Sequence, residues 1–223
     1  MSEVIQQSRP IKNKGVADIV FCFDCTASMQ PCIDKVKDNV HAFVNALKDQ
    51  PQVVLDWRVR AMGYRDFDVD SEKIINHFPF VKDADSFKEQ LDKLEATGGG
   101  DSPESTLDAL WYAFKKTDWR EKCHKVIVLF TDADSKPVHP ETVKTLGVTG
   151  DLRFLQQELM KSRIKLFLFG LSCDIYDQLG LTPKSEIKLY PNPKKEFATA
   201  DFEKLLEMIA KTVSSEAVML PTL

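Results

Sequence analysis

The sequence has no excess of positive charge. Its 30 Lys and Arg stand against 34 Asp and Glu, a formal net charge of −4. General nucleic-acid binding asks for a basic surface, so it is not expected of this chain. No stretch approaches the roughly 20 apolar residues that a membrane helix needs. The opening residues, MSEVIQQSRPIKNKG, hold no apolar signal core. Membrane insertion is therefore not expected, and a cytoplasmic location is. Cysteine is scarce and odd in number: Cys22, Cys25, Cys32, Cys123 and Cys173. They form neither a zinc spacing nor a disulfide framework, so the expectation is free thiols in a reducing compartment. Nine glycines exclude a collagen, and there is no internal repeat or low-complexity tract. What is present is a 43% hydrophobic fraction over 223 residues. That is enough for the core of one domain and too much for a wholly disordered chain.

Along the chain, short apolar runs alternate with amphipathic ones. Residues 1–15 are polar and are expected to be a flexible tail. Residues 17–23 (ADIVFCF) are a buried strand. A helix follows from Pro31 to about Lys48, with Ile33, Val36, Val40, Phe43, Val44 and Leu47 as its apolar stripe. Residues 53–62 are a second strand, with Asp56, Arg58 and Arg60 on its more polar side. Residues 73–80 suggest an edge strand, and Phe87, Leu91 and Leu94 a short helix. Another helix begins near Pro103. Residues 125–130 (KVIVLF) are the central strand, 151–161 a helix, 164–170 a strand and 187–190 a short last strand. Asp201 caps a closing helix. This alternation predicts an α/β fold with a doubly wound, mostly parallel sheet flanked by helices. Such sheets bind ligands at the carboxyl ends of their strands.

Three loops at that edge carry oxygen-bearing side chains. The first strand ends in Asp24-Cys25-Thr26-Ala27-Ser28, with the acidic and hydroxyl groups on alternate residues. A second loop reads Thr97-Gly98-Gly99-Gly100-Asp101-Ser102-Pro103-Glu104, and its glycines allow close backbone approach. The central strand ends in Thr131-Asp132-Ala133-Asp134. Oxygen-only ligands suit a hard divalent cation, Mg²⁺ most naturally, with Mn²⁺ or Ca²⁺ as alternatives. Zinc is not expected without a histidine or cysteine cluster. Taken singly, Asp24, Thr26, Ser28, Asp101 and Ser102 are also residue types that cap helices.

In order, these motifs resemble the von Willebrand factor A domain family, including the I-like domains of integrin β subunits. Asp24-Cys25-Thr26-Ala27-Ser28-Met29 is similar to the family's Asp-x-Ser-x-Ser signature, with Thr in place of the first Ser. The resemblance implies a metal-ion-dependent adhesion site at Asp24, Thr26 and Ser28. The middle loop lacks the Gly-Gly-Thr of many A domains and resembles the Asp-x-Pro-Glu loop of integrin β subunits, which makes Glu104 the metal ligand there. Leu129-Phe130-Thr131-Asp132-Ala133 matches the end of the family's central strand and makes Asp132 a direct or water-mediated ligand. By the same likeness Asp66, Asp101, Pro103 and Glu104 are candidates for an adjacent second ion. Gly63-Tyr64-Arg65-Asp66 also resembles A domains attached to alpha-kinases. The likeness covers residues 16–215 and implies a Rossmann-like A-domain fold, leaving 216–223 as a C-terminal tail.

The resemblance further implies recognition and not turnover: a partner protein's Asp or Glu carboxylate completes the coordination of the ion. Asp134, Lys136 and His139, in the long loop after the central strand, are expected to rim the site. An alternative is a metal-dependent phosphohydrolase using Asp24 as nucleophile, although Thr26 stands where such enzymes place a second Asp. Another is a scaffold with an empty site. Lys194 and Lys195 read as ordinary surface.

Overall fold

A computed structural model describes residues 13–49, 53–75, 78–99 and 102–218. Six strands form one sheet: β1 (Asn13–Asp24), β2 (Val53–Tyr64), β3 (Ile74–Ile75), β4 (His124–Phe130), β5 (Ile164–Leu171) and β6 (Ser185–Tyr190). Their order is β3-β2-β1-β4-β5-β6. Every pairing is parallel except the two-residue β3 against β2. The doubly wound sheet expected from the sequence is therefore present, with an antiparallel edge.

Strands β4 and β5 and the middle of β1 are buried on both faces, which is why they read as apolar runs. In β1, Ala17, Ile19, Phe21 and Phe23 face one core, while Val20 and Cys22 face the other. The first core is covered by α1 (Gln30–Asp38), α2 (Val40–Lys48), α3 (Ala84–Asp92), α8 (Pro193–Thr199) and α9 (Phe202–Ala217). The second is covered by α4 (Thr106–Lys115), α6 (Leu152–Lys161) and α7 (Asp174–Gly180), with α5 (Pro140–Leu146) packed on α4. Phe130 stacks between Phe23 and Phe169, at centroid separations of 5.5 and 4.9 Å. These three rings fix the last turns of the central strands, whose ends carry the site.

Several expectations change. β1 starts at Asn13, inside the stretch expected to be tail, because Asn13, Lys14 and Gly15 extend its ladder against Val53, Val54 and Leu55. Residues 1–12 and 219–223 lie outside the described residues. The first long helix is two helices, broken at Asn39, whose backbone leaves the helical region (φ −109°, ψ 10°). The expected edge strand over 73–80 shrinks to β3 and a separate antiparallel bridge between Val59 and Val81; residues 76 and 77 are outside the described set. The helix expected near Pro103 begins at Thr106. The polar side of β2 is also more enclosed than its alternation suggests. Arg60 is buried against Thr117, and Arg58 reaches the fully buried Asp18, which Arg120 also clasps. Among the described residues no helix is long and apolar enough to cross a membrane.

Candidate functional site

Asp24 closes β1, and its carboxylate is wholly buried. The Thr26 N–H donates to its Oδ1 (2.9 Å) and the Thr131 hydroxyl to its Oδ2 (3.0 Å). Asp24 thus ties the loop after β1 to the loop after β4. A single turn of 3₁₀ helix, Ala27–Met29, leads into α1. Neither Thr26 nor Ser28 spends its side chain on capping: the helix starts at Thr26 and Met29 show no side-chain cap bond. Thr26 and Ser28 both line the cleft.

Glu104 is placed by backbone pairing. Its N–H donates to the Asp134 carbonyl (2.8 Å), and its carbonyl accepts from the Lys136 N–H (2.7 Å). The segment after β4 therefore runs beside the segment before α4 as a short parallel bridge between Glu104 and Ser135. The Ser135 hydroxyl accepts from the Leu107 N–H, anchoring the start of α4. Pro103 precedes Glu104, joined to Ser102 by a cis peptide bond. Asp101 and Gly100 lie outside the described residues.

The glycines bring the middle loop against Thr26. Gly98 and Gly99 have φ of +83° and +72°. A Cβ on Gly99 would sit 2.8 Å from Thr26 Cγ2, and one on Gly98 would drive into the Asp70 carboxylate. Left-handed backbone and close approach together require glycine here. Asp70 Oδ2 accepts from the N–H groups of both Gly99 and Asp66, joining this loop to the exit of β2.

The result is an open cleft of about 320 Å³ lined by Thr26, Ala27, Ser28, Gly98, Gly99, Ser102, Glu104, Asp132, Ala133 and Lys194. Two carboxylate oxygens on it, Glu104 Oε2 and Asp132 Oδ2, are buried without a hydrogen-bond partner. Burial pushes Glu104 up to about 8, helped by the charges of Asp24, Asp66 and Asp132 and opposed by Lys136. Burial likewise pushes Asp24 up to about 6 and the Asp132 charge adds to it, against the hydrogen bonds from Thr26 and Thr131. Orphaned acceptors and mutually repelling carboxylates fit a hard cation among oxygen donors. Among the described residues, no group of three or more His, Cys, Asp or Glu gathers as a metal cage. The donor set is instead mixed, carboxylate and hydroxyl.

The loop after β4 differs from expectation. Asp134, Lys136 and His139 do not line the cleft. Asp134 turns its Oδ1 to the Ser135 N–H. His139 caps α5 by accepting the Glu141 N–H at Nδ1, and its ring lies 5.9 Å from that of Phe67. Lys136 reaches the fully buried Asp66 (2.7 Å) and Asp68 (2.9 Å). The lysine that does border the cleft is Lys194, taken from the sequence as plain surface. It arrives on α8, which Asn192 caps and Pro193 starts; that Asn-Pro pair is the sequence signal that points to it. Tyr176, on α7, was also missed. Its hydroxyl donates to the Ala133 carbonyl (2.9 Å) and lies 3.0 Å from Thr106 Oγ1, supporting the Asp132 loop from below.

Comparison with known proteins agrees with this geometry. The von Willebrand factor A domain family matches residues 18–148, more than half of the chain. Alpha-protein kinase vwkA of Dictyostelium discoideum is 30% identical over 182 residues, covering 76% of this chain and 29% of the kinase. The chain thus spans less than a third of that relative. The solved structure of a von Willebrand factor type A protein from Catenulispora acidiphila superposes with a TM-score of 0.57 at 15% identity, covering 88% of this chain and 43% of that one. That likeness concerns the fold alone. With the sheet order, the strand-end loops and the family match in agreement, the chain belongs to the von Willebrand factor A domain family.

Proposed function

We propose that this A domain is a metal-dependent protein-interaction module, acting in the cytoplasm, that recognises a partner carboxylate. Asp24, Thr26, Ser28, Glu104 and Asp132 would hold the cation, Mg²⁺ by preference, with Mn²⁺ or Ca²⁺ able to substitute. When bound, the ion supplies an electrophilic position open to an Asp or Glu of the partner. The observation that carries this reading is the pair of buried, unpartnered oxygens, Glu104 Oε2 and Asp132 Oδ2, on the cleft that Thr26 and Ser28 also line.

The chain's own residues do the rest. Asp24 braces the Thr26 and Thr131 loops, with both oxygens already engaged. That engagement favours a fixed ligand platform over a phosphohydrolase nucleophile. The glycine loop presses on Thr26 and limits where its hydroxyl points. Lys194 places an exposed ammonium at the cleft and favours an acidic partner. The test is a pull-down from lysate with wild-type and Asp24→Ala protein, in Mg²⁺ and in EDTA. Proteins retained by the wild type in Mg²⁺ and lost in both other conditions support the reading. Retention independent of Mg²⁺ and of Asp24 would favour a scaffold with an empty site. Phosphatase activity lost in the variant would favour the hydrolase.

A further inference from the structure

Beside the cleft, and separate from its lining, Asp66 and Asp68 share one lysine. Asp66 is fully buried at the exit of β2. Its Oδ1 accepts the Asp68 N–H (2.9 Å), which leaves Oδ2 facing inward. A buried carboxylate at such a place calls for a positive charge beside it. The positive charge present is Lys136. Its Nζ lies 2.7 Å from Asp66 Oδ2 and 2.9 Å from Asp68 Oδ2, and its side chain is 16% exposed. The residue is held there by its backbone, whose N–H donates to the Glu104 carbonyl. Its charge also lowers the cost of ionising Glu104. Desolvation pulls the Lys136 ammonium down, but the hydrogen bonds and charges of Asp66 and Asp68 outweigh this and hold it above the ordinary lysine range.

The resemblance to integrin β domains implied that Asp66 and Glu104 help hold an adjacent divalent ion. The Lys136 geometry does not fit a second ion at Asp66. Resting on the metal-dependent reading above, we propose that Lys136 is a built-in cation that takes the place of that second ion, so that this domain carries one divalent ion. With its backbone N–H on the Glu104 carbonyl and its ammonium on Asp66, Lys136 also links the β2 exit to the loop that carries Glu104.

The experiment counts Mn²⁺ ions bound to the full chain by native mass spectrometry, with electron paramagnetic resonance to detect coupled pairs. The expected result is one uncoupled Mn²⁺ in the wild type and two coupled ions in Lys136→Met, with Lys136→Arg staying at one. A wild type that binds two coupled ions would overturn the role of Lys136 while leaving the metal-dependent reading intact. One ion in both wild type and Lys136→Met would overturn it too. A wild type that binds none would remove the metal-dependent reading, and the proposal with it. Should Lys136→Met fail to fold, Lys136→Gln is counted in its place, and the wild-type count stands on its own.

Discussion

At the residue scale, Asp24 and Glu104 are acids held where ionisation is costly. On the proposed reading, such acids serve a ligand at some expense to the metal-free fold. Asp24 is buried, raised to about 6 and close enough to Asp132 to feel its charge. Removing its charge while keeping its shape is therefore expected to stabilise the metal-free protein. In EDTA at pH 8, Asp24→Asn should gain about 1 kcal/mol, a rise of roughly 2–4 °C in melting temperature for a chain of this size. Differential scanning calorimetry checks this; a fall in melting temperature would mean that the Asp24 charge supports the fold. The same variant should lose any Mg²⁺-induced rise. That Thr26, Ser28, Glu104 and Asp132 share one cleft is foreshadowed in the sequence, because Asp24 and Asp132 directly follow apolar strand runs and the glycine loop precedes Glu104. The positions of Lys136 and Lys194 are not. Which lysine faces the cleft depends on a backbone bridge to Glu104 and on a seven-residue helix, neither of which leaves a pattern in composition.

At the scale of elements, the glycine loop and the strand ends act as one device. Two glycines with left-handed backbone separate their contributions. Gly99→Ala and Gly147→Ala both pay the strain of positive φ, about 1 kcal/mol. Only Gly99→Ala also meets Thr26, whereas a Cβ at Gly147 meets nothing within 4 Å. Gly99→Ala should lose more stability than Gly147→Ala because of the Thr26 contact, and only Gly99→Ala should weaken Mg²⁺ binding, on the order of tenfold as for a displaced supporting shell. Equal affinities in a calorimetric titration would show that the loop does not position Thr26. Strands β4, β5 and the middle of β1 are readable as elements because burial on both faces makes them apolar runs, and β2 because its apolar and polar residues alternate. Helices α5, α7 and α8 are missed because seven residues give barely two turns, too short for an apolar stripe to stand out. The break at Asn39 is hidden for a related reason: the apolar spacing of α1 continues into α2 across it.

At the scale of the whole molecule, the two ends of the sheet have different chemistry. The carboxyl end holds the oxygen-lined cleft. The amino end holds a buried lysine, Lys165, that pairs with Glu186 and with Glu216 of α9 nearer the surface. His124, at the start of β4, lies buried 3.5 Å from Glu216 Oε2, and its Nε2 makes no hydrogen bond. Burial pushes His124 down to about 4; the Glu216 charge opposes this, while Lys184 and Lys165 add to it. Its folded pKa is thus below its unfolded one, and between the two the unfolded chain binds more protons. The His124 contribution to stability is therefore lost as pH drops from about 6.5 towards 4, by up to roughly 3 kcal/mol, while the raised Asp24 and Glu104 act in the opposite direction over the same fall. Urea unfolding across that window should show the wild type losing stability relative to His124→Gln as pH falls, because the variant keeps the Asp24 and Glu104 contributions and lacks only that of His124. Equal slopes would place the pH dependence elsewhere. The net charge of −4 also takes on a local meaning, since carboxylates gather at one cleft and beside it.

The most direct test of the central claim is a calorimetric titration of Mg²⁺ into metal-free protein, wild type beside Asp24→Ala, with circular dichroism confirming that both are folded. The expected result is saturable binding in the wild type and none in the variant. Absence of binding in the wild type, or equal binding in both proteins, would contradict a metal-dependent site at the end of β1.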